Sequence, residues 1–133
     1  MGCSGTDFVL ADLPTVWPKY IPRVLRLPPK GVVEAVHCVA SDTALALEGP
    51  DGLLIVSLTP REDAIELEVL LAVSTGTPGA FRRQEAAVCA IARDLGASAV
   101  VFVPARRGWD KVVGPEWITR GNAYVRQLHG RQE

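Results

Sequence analysis

The feature that most constrains the fold of this chain is a strand, a turn and a helix in its middle. In residues 64–73, apolar residues alternate with Glu66 and Glu68 before a fully apolar run. This pattern predicts a strand whose first half is exposed on one face and whose second half is buried on both. Residues 74–79 hold two glycines and predict a turn, and an apolar stripe in 80–95 predicts a helix. Because α/β proteins bind phosphate-bearing ligands where a helix N-terminus faces a strand end, a ligand site is expected here.

The boundaries of this helix are marked by residues with strong end preferences. Thr77 followed by Pro78 predicts the start, because threonine caps free amides and proline suits the first turn. Gly96 predicts the end. Residues 100–103 are apolar and β-branched or aromatic, which predicts a short buried strand. A strand, helix, strand order implies a crossover between two parallel strands.

Composition limits the class of protein. The 133 residues, of which 48% are hydrophobic, suit a single domain over 1–133, with 1–6 as a flexible leader. A net charge of −1 makes nucleic acid an unexpected partner. No apolar run approaches the roughly 20 residues of a membrane span, so no membrane association is expected. Three cysteines without metal-ligand spacing fit a reducing compartment, and no metal site is expected.

The remaining segments predict a mixture of short helices and strands. Prolines at 18 and 22 interrupt the N-terminal helical segment, so a bent or twice-started helix is expected there. The predicted elements are a strand at 6–10, the bent helix at 13–27, a stop at 28–31, a helix at 32–39, a hairpin of 44–47 and 53–58, a turn at 59–63, a short helix at 108–113 and a closing strand at 123–128. Together they give an α+β (α/β) domain.

The element order and several segments resemble the GNAT family of acyl-CoA N-acyltransferases. The opening Leu10-Ala-Asp-Leu-Pro14 resembles the strand-to-helix start of that family, and Leu71-Ala-Val73 resembles the end of its central strand. Residues 83–102, including the turn Asp94-Leu-Gly-Ala97, resemble its main helix and following strand. The resemblance implies a single-domain GNAT-like fold, with a mixed central β-sheet flanked by helices, and acetyl-CoA as the cofactor if the protein is active.

The loop after the central strand departs from the family pattern. Active members carry an Arg or Gln and two glycine-type positions here, and the loop amides wrap the coenzyme pyrophosphate. In this chain, residues 74–80 lack that Arg or Gln, the loop is shorter, and Pro78 removes an amide. An anion could still be held by the helix N-terminus and nearby arginines. The candidate cofactor-binding residues are Leu71, Ala72, Val73, Gly76, Gly79, Ala80, Arg82 and Arg83.

The catalytic residues implied by the resemblance are incomplete. The family often takes its base from the central strand, which makes Glu66 and Glu68 the candidates; the alternative is that both are solvated on the polar face of the strand. The usual acid is a tyrosine on the helix after the fifth strand, but Trp109 occupies the predicted helix. Tyr124 falls on the closing strand and is expected to pack. Neither His37 nor the chain's second histidine has a nucleophile pattern around it.

Two classes of function therefore remain. Residues 106–115 and the final strand resemble the tail of small acetyltransferase-like proteins encoded beside bacteriophage head and tail genes. The first class is a catalytically degenerate binding or assembly module, with other protein subunits such as phage head or tail components as partners, in the host cytoplasm or the virion. The second is an acetyl-CoA-dependent N-acetyltransferase acting on a small amine or a protein amino group. The fold alone does not decide between them.

Aromatic residues in irregular segments suggest where a binding module would contact its partner. Trp17 lies in the proline-interrupted segment, and Trp109 and Trp117 flank a Gly-Pro break. Large aromatic side chains on such segments suit interface anchors, although each could instead close one end of the core. We expect at least one of the three to form an intersubunit contact.

Overall fold

The computed structural model describes residues 7–104 and 113–128, which form a seven-stranded sheet with helices on both faces. The architecture is the α+β class that the sequence predicts. Trp17–Lys19 adds a 3₁₀ turn between the first two helices. In chain order the elements are β1 Val9–Leu10, α1 Leu13–Val16, α2 Ile21–Val24, α3 Pro29–Ala40, β2 Leu45–Gly49, β3 Gly52–Arg61, β4 Ala64–Ser74, α4 Ala80–Asp94, β5 Ala99–Phe102, β6 Trp117–Arg120 and β7 Ala123–Gln127.

The strand order across the sheet is β1-β2-β3-β4-β5-β7-β6. Five of the neighbouring pairs are antiparallel, whereas β4 and β5 run parallel and are joined through α4. The predicted crossover is therefore present. It places the loop after β4 and the N-terminus of α4 at the same end of the sheet.

Each face of the sheet has its own apolar core. On one face, Ala87, Val88 and Ile91 of α4 pack against Leu54 and Leu67 of the sheet. The opposite face of the β1 to β4 region is covered by the N-terminal helices, whose buried members include Leu13, Tyr20, Val24 and Ala35. A third cluster, Ala99, Val101, Ala123 and Val125, lies on β5 and β7.

A β-bulge at Leu70 divides the central strand into two halves. Val69 pairs with Val56 and Leu71 pairs with Ile55, so Leu70 is an extra residue opposite a continuous β3. The extra residue reverses the side-chain alternation: Val69 joins the core under α4, whereas Leu71 joins the core under the N-terminal helices.

The prediction that the polar face of the first half of β4 is exposed is wrong, because Glu66 is buried and Glu68 is half-buried, whereas Ile65 on the other face is exposed. The prediction that the second half is buried on both faces is wrong as well, because Ala72 is exposed.

Several predicted boundaries need correction. Residues 59–61 continue β3 and pair with the start of β4, so the turn shortens to Glu62 and Asp63. The prolines predicted to stop the N-terminal helix instead begin α3, with Pro29 in its first turn, where a missing N–H costs nothing. The predicted interruption of the preceding segment is confirmed by α1, the 3₁₀ turn and α2.

At the carboxyl end, β7 confirms the predicted closing strand, whereas β6 was not predicted. The predicted leader at 1–6 and most of the predicted helix at 108–113, with Trp109, lie outside the described residues. No helix within 7–104 or 113–128 has both the length and the apolar character needed to span a bilayer.

Candidate functional site

The loop at residues 74–80 leaves the end of β4 and turns into α4. Gly76 and Gly79 have φ values of 85° and 79°, and Gly79 is the N-cap of the helix. The predicted helix start at Thr77 and Pro78 is therefore wrong by two residues, since the N-cap is Gly79 and α4 begins at Ala80. Glycine suits both positions because its lack of a Cβ allows left-handed backbone.

Most amide groups in this loop already have partners within the domain. The N–H of Thr75 donates to the carbonyl oxygen of Asp51 at 2.9 Å, and the N–H of Gly76 donates to Ser74 Oγ at 3.0 Å. The N–H of Ala80 donates to the carbonyl oxygen of Thr77 at 2.9 Å. The amide of Thr77 points to Thr75 Oγ1 at 3.5 Å, and Pro78 has no N–H. The loop is stabilised by its own hydrogen bonds and offers few donors to a ligand.

The predicted anion-binding arginines are engaged in ion pairs. Arg83 donates to both carboxylate oxygens of Asp51 at 2.7–3.0 Å, and these bonds lower the pKa of Asp51. Arg82 lies 3.6 Å from Glu85 on the next turn of α4. An arginine that sequence analysis missed, Arg23 of α2, places its guanidinium beside the loop, 3.1 Å from where a Cβ on Gly76 would lie.

The other predicted cofactor-binding residues divide by burial. The side chains of Leu71, Val73 and Ala80 are core groups, whereas Ala72 is exposed. Pairing between β4 and β5 ends at Val69 and Phe102, so residues 70–74 have no β5 partner among the described residues. The pairing between the two parallel strands therefore stops next to the bulge at Leu70.

Glu66 is a buried ion-pair residue and is not solvated. Arg120, on the edge strand β6, donates to its two oxygens at 2.7 and 2.9 Å, and Arg61 lies 3.9 Å away. The hydrogen bonds from Arg120 lower the pKa of Glu66, although burial acts in the opposite direction. A carboxylate held in its charged form by a bidentate arginine is a poor proton acceptor at neutral pH. The structure therefore favours a structural role for Glu66.

Glu68 has a different environment two residues further along the same face. Its side chain is half-buried and has no hydrogen bond or ion pair to the described residues. Burial raises the pKa of Glu68, and the negative charge of Glu66 raises it further. Of the two candidate bases, Glu68 is the one whose surroundings favour taking up a proton.

The raised pKa of Glu68 predicts a stability effect with a definite sign. The native state holds the proton of Glu68 to a higher pH than the unfolded chain does, so ionisation of Glu68 lowers the free energy of unfolding as the pH rises. We expect Glu68→Gln to be more stable than the wild type at pH 7, and the gain to vanish below about pH 4, where the carboxyl is protonated in both states. Urea denaturation at both pH values measures this difference.

Glu66→Gln is the matched control and should show the opposite sign. The pKa of Glu66 is lowered in the native state, so its contribution to stability is present above the unfolded value and is lost as the pH falls. The variant should be less stable than the wild type at pH 7 and approach it in acid. Equal behaviour of the two variants would contradict the assignment of different environments.

The aromatic candidates contact their own domain. Trp17 is half-buried against the core beneath the N-terminal helices. The indole N–H of Trp117 donates to Glu85 at 2.7 Å, and its ring meets Phe102 edge-on with centroids 5.2 Å apart. Tyr124 stacks on Phe102 with centroids 5.5 Å apart, in agreement with the predicted packing role. An intersubunit role for Trp17 or Trp117 stays a prediction.

Sequence analysis missed the polar residues that join distant elements. The hydroxyl group of Tyr20 donates to Glu48 at 2.7 Å, and Lys19 forms an ion pair with the same carboxylate. These two contacts link the N-terminal helical segment to β2. Asp51 links the β2–β3 turn to α4 through its ion pair with Arg83. Glu48 lies near the end of β2 and Asp51 in the turn that follows, a glycine-containing stretch where acidic residues are common for local reasons, so no sequence signal distinguished them.

Comparisons with known proteins assign no family to this chain. No family model matches the chain, and neither the curated proteins nor the solved structures gave a match. Among the residues that the structure describes, no group of three or more His, Cys, Asp or Glu side chains is placed to hold a metal ion. The function must therefore be argued from the site itself.

Proposed function

We propose that this protein is a catalytically degenerate domain of GNAT-like fold that acts as a binding or assembly module. Its partners are other protein subunits, and the resemblance of the tail region points to bacteriophage head or tail components in the host cytoplasm or the virion. The observation that carries the proposal is the hydrogen bonding of the loop at residues 74–80. The amides of Thr75, Gly76 and Ala80 are bonded within the domain, whereas the GNAT resemblance implies that amides of this loop bind a pyrophosphate.

Two further observations support a non-catalytic role. The ion pairs Glu66–Arg120 and Asp51–Arg83 occupy one predicted base and one predicted anion-binding arginine. Residues 105–122 contain no tyrosine that could serve as the acid, and Tyr124 is stacked on Phe102. The β4-α4-β5 unit is therefore present without most of the side chains that acetyl transfer in the GNAT family would use.

A second candidate function is an acetyl-CoA-dependent N-acetyltransferase, and Glu68 favours it. This carboxyl lies one residue before the last β4–β5 pair, and its pKa is raised. A half-buried carboxyl of this kind could accept the proton of an amine. In that case acetyl-CoA would lie beside the loop at residues 74–80, where Arg23 supplies a cationic group.

Titration with coenzyme A separates the two candidates. We expect little or no thermal stabilisation by coenzyme A or acetyl-CoA at millimolar concentration, because few loop amides are available. A ligand at 100 times its dissociation constant would add about 2.7 kcal/mol to the free energy of unfolding, a shift of several degrees in Tm. Mass spectrometry of the natively purified complex would identify bound protein subunits in the same preparation.

A low-micromolar dissociation constant for acetyl-CoA would overturn the proposal and favour the enzyme. Glu68→Gln then becomes the decisive variant, with an expected loss of roughly 10²–10⁴-fold in kcat if Glu68 is the base. Arg61→Gln serves as a control, since Arg61 lies on the neighbouring strand, 3.9 Å from Glu66. Unchanged turnover in Glu68→Gln would remove Glu68 from the mechanism.

A further inference from the structure

The outer strand of the sheet, β6, has an edge with no described strand beside it. The N–H of Leu128 donates to the carbonyl oxygen of Ser98 at 2.9 Å, so the even-numbered residues of β7 bond to β5. Because alternate residues of a strand bond to opposite sides, the odd-numbered residues of β7 bond to β6, where their partners are Ile118 and Arg120. The backbone N–H and C=O of Thr119 therefore point away from the sheet.

These outward-pointing groups have no partner in the described part of the domain. Thr119 is exposed, and it has no hydrogen bond to a described residue outside the strand ladder. The carbonyl group of Trp117 points in the same direction, whereas its backbone N–H donates to the carbonyl oxygen of Gly114 at 3.2 Å. Backbone donors and acceptors along a sheet edge are satisfied by another extended strand. The edge of β6 therefore fits a β-strand better than a small ligand.

The strand β6 also lacks the features that usually prevent pairing at an edge. Natural edge strands are protected by proline, by a bulge, by an unpaired charge or by being very short. Residues 117–120 contain no proline, and their register with β7 is continuous. Their one charged side chain, Arg120, is held by both oxygens of Glu66 on the face of the sheet. Since the opposite edge strand, β1, has two residues and β6 has four, β6 is the edge that offers a usable length of strand.

We propose that β6 pairs antiparallel with β6 of a second copy of this chain, about a two-fold axis at Thr119. The N–H of each Thr119 then donates to the carbonyl oxygen of the other, and the two seven-stranded sheets continue as one. A contact between identical surfaces closes on itself, so the assembly is a dimer and nothing larger. This inference rests on the proposed assembly function and names its partner.

The side chains of β6 suit pairing with a copy of the same strand. In this register Ile118, which is 56% exposed, faces Arg120 of the second copy, whose aliphatic stem can cover it. The charge of Arg120 is already neutralised by Glu66, so the pairing brings no unpaired charges together. Trp117 falls opposite Gly121, where an added Cβ would meet nothing within 4 Å, so the indole has room. The strand is complementary to itself, which favours a second copy over an unrelated strand.

The test places charges at the proposed two-fold axis. Thr119→Lys and Thr119→Glu each put two like charges on residues whose Cβ atoms lie about 4.5–5.5 Å apart across the axis. The side chain of Thr119 is exposed in the domain, so both variants should fold, which circular dichroism checks. In sedimentation velocity the wild type should form a dimer. Each variant alone should raise the dissociation constant of that dimer by more than about tenfold, because like charges repel at an interface.

Mixing the two variants distinguishes this contact from any other. An equimolar mixture should form a heterodimer, because lysine meets glutamate only if position 119 of one copy faces position 119 of the other. Thr59→Lys is the matched control, since Thr59 is an exposed threonine of β3, away from the β6 edge, and this variant should dimerise like the wild type. Hydrogen exchange of the Thr119 N–H, followed by NMR, should slow as the wild-type concentration rises.

Three results would overturn the inference. The first is a wild type that stays monomeric up to about 1 mM, where even a weak dimer would be visible. The second is a dimer that persists in both variants, or a mixture that stays monomeric. The third is a natively purified complex in which a strand of another protein protects the Thr119 N–H while this chain is monomeric. These results leave the proposed function standing, because a monomer can still bind other subunits, whereas tight acetyl-CoA binding would defeat the proposed function without altering sedimentation.

Discussion

Replacing Gly52 with alanine is expected to cost at least about 3 kcal/mol of unfolding free energy. A Cβ at this position would lie 1.9 Å from the carbonyl oxygen of Val73, and the residue has a φ of 142°. The obstructing atom belongs to the backbone of β4, so no side-chain rotation relieves the clash. The β2–β3 turn would have to move away from β4. Urea denaturation and the loss of Tm both measure the effect.

Gly31→Ala is the matched control for this prediction. Gly31 lies in the first turns of α3, and a Cβ there would meet nothing within 4 Å. Alanine is the better helix former, so this variant should gain roughly 0.5–1 kcal/mol. A Gly52→Ala protein as stable as the wild type would show that the turn does not approach β4 as closely as described.

The second large effect is expected in the first half of β4. Leu67 is fully buried beneath α4, and truncation leaves a cavity among Leu54, Val88 and Ile91. We expect Leu67→Ala to lower the free energy of unfolding by about 2–5 kcal/mol. Chemical denaturation monitored by tryptophan fluorescence would measure the change, with an unaltered m value as evidence that the transition is still two-state.

Ile65→Ala provides the comparison on the same strand and the same face. Ile65 is 42% exposed, so its truncation should cost about 1 kcal/mol or less. The two residues are both apolar and have the same alternating position in the sequence, but only one is covered by α4. Similar losses for both variants would contradict the position of α4 over the sheet.

The central unit could be predicted because its signals are local. The signals for a strand at β4, for the apolar stripe of α4 and for the helix end at Gly96 each depend on neighbouring residues. The structure confirms these elements, including a φ of 80° at Gly96. The parallel pairing followed from element order alone. The start of α4 was missed because Thr77 engages Thr75 with its hydroxyl group and leaves the capping position to Gly79.

The properties of the candidate site could not be predicted in the same way. Glu66 and Glu68 have identical local patterns, yet one is bound by Arg120, 54 positions away in the chain, and the other is not. Arg83 was expected to meet an anion, and its partner is Asp51, 32 positions earlier. Such pairs depend on which strands become neighbours, which no window of adjacent residues records.

The sequence by itself therefore determined the class of the fold, the β4-α4-β5 unit and the position of its loop, because hydrophobic periodicity and turn chemistry act between near neighbours. Only the tertiary structure decided what those elements can do. The bulge at Leu70 assigns the two halves of β4 to different cores, and the packing of β6 and of the β2–β3 turn brings counter-charges to Glu66 and Arg83. Burial and charge at a site are set by long-range contacts, since a side chain is desolvated or paired only by the elements that pack around it.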